Sequence, residues 1–384
     1  MPEAERKTKK RLSLYDLTPA ELESFFLSIG EKRYRARQVM DFLYRHPADT
    51  FDAMTTLPAD LRRRLGETAR LAPLTLRTTV EAPDGAIKHG YEIEGPSKGK
   101  VLLESVWMPA EPADGGPSGE RRKIGGSTAK EKAGEGKAGA QAGRYTLCIS
   151  SQLGCAAGCT FCATGKLGLR AQLTTGEIVY QVVHTLVMYR KLPDTVLFMG
   201  MGEPMHNFDA AAAAVDILTH PRGLGFSPRR IVLSTAGELE RLGAWRRRFP
   251  RVRLAISLNA ATNDVRSSLM PVNNRFDLRA ISAFISSIEL SRGERVTLEY
   301  IILAGINDNA KQVDALLAFL KPIAARVKVN LIPFNPVKGV GFRSPDRGKV
   351  LEIQEALRGM GVMAFVRRNR GRGVSAACGQ LAGG

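Results

Sequence analysis

Between residue 145 and the C-terminus, short apolar runs alternate with helical patterns, and that succession leaves few folds open. Seven runs read as strands: Tyr145–Ser150, Thr195–Met199, Arg230–Thr235, Val252–Leu258, Val296–Leu303, Val327–Ile332 and Val362–Val366. Helical periodicity separates them at 174–190, 208–219, 237–248, 277–291, 309–324 and 346–360. A strand–helix–strand succession requires right-handed crossovers onto a parallel sheet. Six βα units and a last strand predict a partial (βα)6 barrel rather than a doubly wound sheet. In such a fold the chemistry collects at the carboxyl ends of the strands.

Upstream the pattern changes twice. In residues 1–73, Leu22, Phe25, Phe26 and Ile29 share one helical face. Tyr34, Val39, Phe42 and Leu43 follow, interleaved with Arg33, Arg35 and Arg37, so a helical module with a basic face is expected. Residues 74–109 alternate with period two around an Asp84-Gly85 turn and predict a small β extension. Residues 110–143 hold nine glycines and one large apolar side chain, Ile124, too little to offset the entropy of ordering. A disordered surface insertion is expected there, with the barrel domain over 144–384.

Charge narrows the partners. Lysine and arginine total 56 against 38 acids, and the net +18 suggests a polyanion such as nucleic acid. Residues 321–384 carry twelve of these cations against three acids, densest at Arg367-Arg368-Asn369-Arg370-Gly371-Arg372. A second cluster joins Arg246, Arg247 and Arg248 with Arg251 and Arg253. Any one run could be a solvated face; together they predict a phosphate-tracking surface. No window approaches 18 consecutive apolar residues, and the N-terminus lacks the apolar core of a secretory signal. No membrane span and a cytoplasmic location are expected.

Three of the five cysteines, Cys155, Cys159 and Cys162, follow the first barrel strand with C-x3-C-x2-C spacing. Small residues between them let a loop wrap a metal centre. Three thiolates leave one iron of a four-iron cluster open to another ligand; structural zinc would close with a fourth Cys or His, and none lies close in sequence. At the end of the second strand, Met199-Gly200-Met201-Gly202-Glu203-Pro204 offers a close backbone approach and a carboxylate. The helix that follows the cysteine loop opens with a capping box, Thr174 to Glu177. The five histidines form no ligand pattern.

The cysteine spacing, with an aromatic before its last member, resembles the radical S-adenosylmethionine superfamily. A narrower resemblance is carried by Thr146 to Cys155, Met199 to Pro204, Ile256 to Ala260, Leu269-Met270-Pro271, Ile332 to Pro336 and Ala376 to Leu381. These segments resemble the RlmN/Cfr family of RNA adenosine methyltransferases, over about residue 12 to the C-terminus apart from the insertion. The resemblance implies a 4Fe-4S cluster on Cys155, Cys159 and Cys162, with S-adenosylmethionine held by Gly202, Glu203, Ser234, Ser257, Leu258, Asn259 and Asn335. It implies that Cys378 takes a methyl group, is activated by hydrogen abstraction and adds to adenine. Cys148 then forms a transient disulfide with Cys378 and releases the product. Glu104, a carboxylate on a strand face shared with Leu102, Val106 and Met108, is implied as proton acceptor; burial there would raise its pKa. The implied substrates are 23S rRNA and adenosine 37 of tRNAs, with methylation at carbon 2, a flavodoxin-type electron donor and a monomeric enzyme. Carbon 8 of the same adenosine is the alternative within the family. An RNA-binding or assembly factor with a structural cluster is the alternative outside it, and Cys378 argues against it.

Overall fold

The computed structural model describes residues 11–93, 101–109, 144–367, 371, 375 and 377–382. The expected insertion at 110–143 lies outside them, as do Arg368, Arg370 and Arg372 of the basic run. Ten strands form one sheet whose spatial order is chain order. They are β1 (Leu74–Glu81), β2 (Ile87–Ile93), β3 (Leu103–Pro109), β4 (Tyr145–Ile149), β5 (Thr195–Phe198), β6 (Ile231–Thr235), β7 (Arg253–Ser257), β8 (Val296–Ile302), β9 (Val327–Pro333) and β10 (Met363–Val366). Pairing is parallel from β4 to β10. This is the expected succession, an α/β sheet with its strands in chain order.

The strands of residues 74–109 are antiparallel to one another, and β3 pairs directly with β4 through Val106↔Cys148. They therefore lengthen the barrel sheet itself. The physical reason is the free edge of β4, whose backbone groups need partners.

Six helices cover the outer face: α4 (Thr175–Tyr189), α5 (Phe208–Thr219), α6 (Leu239–Arg248), α7 (Leu278–Ser287), α8 (Ala310–Leu320) and α9 (Arg347–Gly359), preceded in the chain by α1 (Pro19–Ser28), α2 (Arg33–Tyr44) and α3 (Ala59–Thr68). The Thr174 capping box starts α4 as the sequence predicts: Glu177 N donates to Thr174 Oγ1 at 3.2 Å and Thr174 N to Glu177 Oε2 at 2.8 Å. The N-terminal helices dock on this end of α4. Asp16 Oδ1 accepts from Gly176 N at 2.7 Å, a carboxylate on a helix N-terminus, and Tyr15 meets Tyr180 edge-on at 5.3 Å. One continuous core runs from these helices through the barrel, including Leu22, Leu43, Ile178, Val215, Trp245 and Leu298. Among the described residues no helix is long and apolar enough to cross a membrane.

Candidate active site

The cysteine loop leaves β4 and returns beside it, because its glycines allow what a side chain would block. Gly154 has φ +75°, and a Cβ there would fall on the Gly168 carbonyl; that carbonyl accepts from Cys155 N at 3.1 Å. At Gly165 a Cβ would stand 2.9 Å from Cys159 O. The second motif packs as closely: a Cβ on Gly200 would lie 2.6 Å from Ser150 Oγ, and one on Gly202 2.6 Å from Gln152 Cβ. Ser150 and Gln152 wire the two loops together. Ser150 Oγ accepts from Met201 N at 2.7 Å and donates to Glu104 O at 2.6 Å, while Gln152 Oε1 accepts from Glu203 N at 2.8 Å.

All five cysteines are free thiols, and all five line one cavity of about 300 Å³ at the carboxyl ends of the strands. Burial pushes Cys155 up to about 12 and raises Cys159 as well. Such thiols stay protonated without a cation to compensate, so the loop suits a metal centre chemically. Among the described residues no three His, Cys, Asp or Glu groups converge tightly enough for a single ion.

Cys378 reaches this cavity from a loop stapled on three sides. Ala163 N donates to Gly379 O at 2.8 Å and Thr164 Oγ1 to Leu381 O at 2.6 Å, both from the short helix after Cys162. Gln380 Nε2 donates to Pro336 O at 2.8 Å, and Asn335 Nδ2 to Cys378 O at 3.4 Å. Ala382 N donates to Glu104 Oε2 at 2.9 Å. The Cys378 thiol opens into the cavity; enclosure raises its pKa, opposed by the Arg367 guanidinium. Cys148, buried near the end of β4, is raised by burial first and then by its neighbour Cys378.

Of the residues implied for S-adenosylmethionine, Gly202, Glu203, Ser234, Ser257, Asn259 and Asn335 line the cavity. Leu258 is fully buried and does not; its carbonyl accepts from Arg266 Nε at 3.0 Å. Glu203 is held by Ala236 N at 2.6 Å and Met205 N at 3.0 Å, and burial raises its pKa against those two amides. Asn259 adopts φ +56°, and its Oδ1 accepts from Ile301 N at 2.9 Å.

Glu104 is buried beside the cavity and is not among its lining residues. Its face is less apolar than the sequence predicts, since Lys88 Nζ lies 2.7 Å from Oε1. Two members of the arginine cluster have protein partners. Arg246 is buried, donating to Val252 O at 3.1 Å, Glu289 O at 3.0 Å and Glu294 Oε1 at 3.2 Å, and Arg248 pairs with Asp216. These two side chains are taken by acceptors from neighbouring segments, while Arg247 and Arg251 are exposed. Sequence reasoning missed Glu299, which lines the cavity with its Oε1 accepting from Asn330 Nδ2 at 2.9 Å, and Arg266, which ties Ser257 O, Ala236 O, Phe276 O and Asn273 Oδ1 together. An acid inside a β-branched run was the signal for Glu299; nothing local marked Arg266.

Comparison with known proteins is decisive at this point. The ribosomal RNA large subunit methyltransferase N-terminal domain matches residues 12–71, and the radical SAM superfamily matches residues 149–320. A protein of Syntrophotalea carbinolica called dual-specificity RNA methyltransferase RlmN is 38% identical, over 97% of this chain and 90% of its own length. The chain belongs to the RlmN family of RNA methyltransferases. The Geobacter sulfurreducens member is also 38% identical, over 97% of this chain and 92% of its own. A solved radical SAM methyltransferase from Sphaerobacter thermophilus superposes with a TM-score of 0.82 at 36% identity, covering 97% of this chain and all of its own. Membership makes the chain an enzyme of the radical S-adenosylmethionine class, with a 4Fe-4S cluster and S-adenosylmethionine as the family's cofactors.

Proposed function

We propose that this enzyme methylates carbon 2 of an adenosine in 23S rRNA and adenosine 37 of tRNAs, with Cys378 as methyl carrier. The observation that carries this reading is the meeting of all five cysteines at one cavity: three on a loop, one on a strand, one on a stapled C-terminal loop. The name shared by the relatives, dual-specificity RNA methyltransferase, supports two RNA substrates.

Cys155, Cys159 and Cys162 hold the cluster in this reading, and Glu203, Ser234, Ser257, Asn259 and Asn335 hold S-adenosylmethionine against it. Bound there, the pair supplies one-electron chemistry able to activate a C–H bond that is otherwise inert. Cys378 first takes a methyl group by displacement from S-adenosylmethionine, for which it must ionise; the Arg367 guanidinium favours the thiolate. Carbon 2 of adenine is electron-poor, so the activated S-methyl group, not a methyl cation, must add to it. Glu104, held by Lys88 and by Ala382 N of the C-terminal loop, removes the ring proton from the adduct. Cys148 then attacks the Cys378 sulfur, and product release leaves a disulfide for external thiols to reduce. Burial raises the pKa of the Cys148 thiol, and Cys378 adds to the effect. A flavodoxin-type protein supplies the electron, and the chain works as a cytoplasmic monomer. The test is nucleoside mass spectrometry of RNA after incubation with reconstituted enzyme: 2-methyladenosine is expected, and 8-methyladenosine or unmodified RNA would overturn the reading.

A further inference from the structure

The cavity runs down the inside of the barrel as far as Thr146, Leu197 and Glu299. Side chains two residues apart on a strand share a face, and the positions one step below this level are cationic at the starts of the adjacent strands β7, β8 and β9 and of β4. Arg144 precedes Thr146, Arg253 lies below Ala255 and Ser257, Arg295 lies below Thr297 and Glu299, and Lys328 lies below Asn330. Register brings these strands together: Ala255 pairs with Thr297, and Thr297 with Lys328.

Little neutralises these charges. Arg253, Arg295 and Lys328 are half-buried, and Arg253 Nε is a buried donor with no partner among the described residues. Lys328 is held below its usual range by burial, Arg253, Arg367 and Arg295, with the Glu299 carboxylate opposing them. Arg253 is lowered likewise by burial and by Arg144. Arg253, Arg295 and Arg367 thus crowd Lys328, with Glu299 the one acid acting on it, and the exposed Arg144 stands near Arg253. Such an arrangement costs free energy until an anion enters. Arg246 and Arg248, by contrast, are taken by protein acceptors.

We propose that Arg144, Arg253, Arg295 and Lys328 form a phosphate-binding row at the foot of the barrel, holding the RNA backbone beside the target nucleotide. The proposal rests on the enzyme's substrate being RNA. From Cys148 down to Arg144 is four residues, about 13 Å of strand. A nucleotide flipped out of its stack, with its base turned to the thiols, carries its backbone phosphates down to this row. The contacts position without reading sequence, which suits an enzyme that must accept an adenosine in two different RNAs.

The test measures binding of an unmodified tRNA to the cluster-loaded enzyme across a salt series. In Arg253→Gln/Lys328→Gln the slope of log affinity against log salt should become shallower by about 0.7 for each phosphate no longer held. Arg253→Lys/Lys328→Arg should restore it, and iron content and melting temperature should match wild type in both variants. Lys311→Gln/Lys321→Gln, both exposed, is the charge-matched control and should change the slope less. An unchanged slope in the folded double variant overturns the proposal. So does a double variant that loses stabilisation by inorganic phosphate yet keeps the RNA slope, since the row would then take a small free anion. If wild-type enzyme neither binds nor methylates the RNA, the functional reading has failed, and that is visible without any variant.

Discussion

Gly154→Ala tests whether the cysteine loop needs the left-handed backbone that its glycine permits. The residue has φ +75°, and an added Cβ would meet the Gly168 carbonyl group, with its carbon at 3.0 Å and Arg170 N at 3.3 Å. Forcing an L-residue into the left-handed region costs about 1–2 kcal/mol. Backbone atoms on both sides cannot step aside as a flexible side chain would, so overpacking adds about 1–3 kcal/mol. Gly168 is the internal control: φ is +63°, but a Cβ there meets nothing within 4 Å. Gly168→Ala should therefore cost only the conformational part. For a chain of this size the difference corresponds to a melting temperature roughly 1–4 °C lower for Gly154→Ala. Differential scanning calorimetry of both variants reads this, and iron per chain after reconstitution reads the loop directly, with less iron expected for Gly154→Ala. Equal melting temperatures together with full iron loading in Gly154→Ala would refute the reasoning.

Other consequences follow from particular contacts. Cys148→Ala should leave protein covalently joined to RNA, seen as a slow band on denaturing gels, whereas Cys378→Ala should give neither adduct nor methylated RNA. His89 is held down to about 4 by burial, and its neighbour His184 adds to the effect. Between pH 6.5 and 4 the unfolded chain then binds more protons, so stability falls as pH drops through that window, by about 3 kcal/mol; denaturant titrations of His89→Gln should show a flatter pH dependence. Removing Arg266 strands acceptors from several loops at once. Arg266→Leu should destabilise by at least about 3 kcal/mol in urea melts, since each buried acceptor left without a donor costs about 1–3 kcal/mol.

The barrel was legible because its information is local and periodic. Each strand is an apolar run bounded by turn residues, each helix repeats every 3.6 residues, and the Thr174–Glu177 cap spans four positions. The three cysteines were legible for the same reason. What depends on distant partners was not. The pairing of β3 with β4 joins Trp107 to Leu147 across 40 positions, so nothing near either residue announces it. Glu104 was found as a buried acid, but Lys88 faces it from across a hairpin and Ala382 from the far end of the chain. Arg246 looked like a surface charge because its acceptors at Val252, Glu289 and Glu294 belong to other segments. Arg253 sat in the same run, and only strand register reveals that it points into the barrel.

The carrier mechanism is tested most directly by mass spectrometry of digested, cluster-loaded protein after incubation with isotopically labelled S-adenosylmethionine and no RNA. One labelled methyl group is expected on the Cys378 peptide and none on Cys148, with no label in Cys378→Ala. An unlabelled Cys378 in protein that retains its iron would contradict the carrier mechanism and, with it, the catalytic part played by the C-terminal loop.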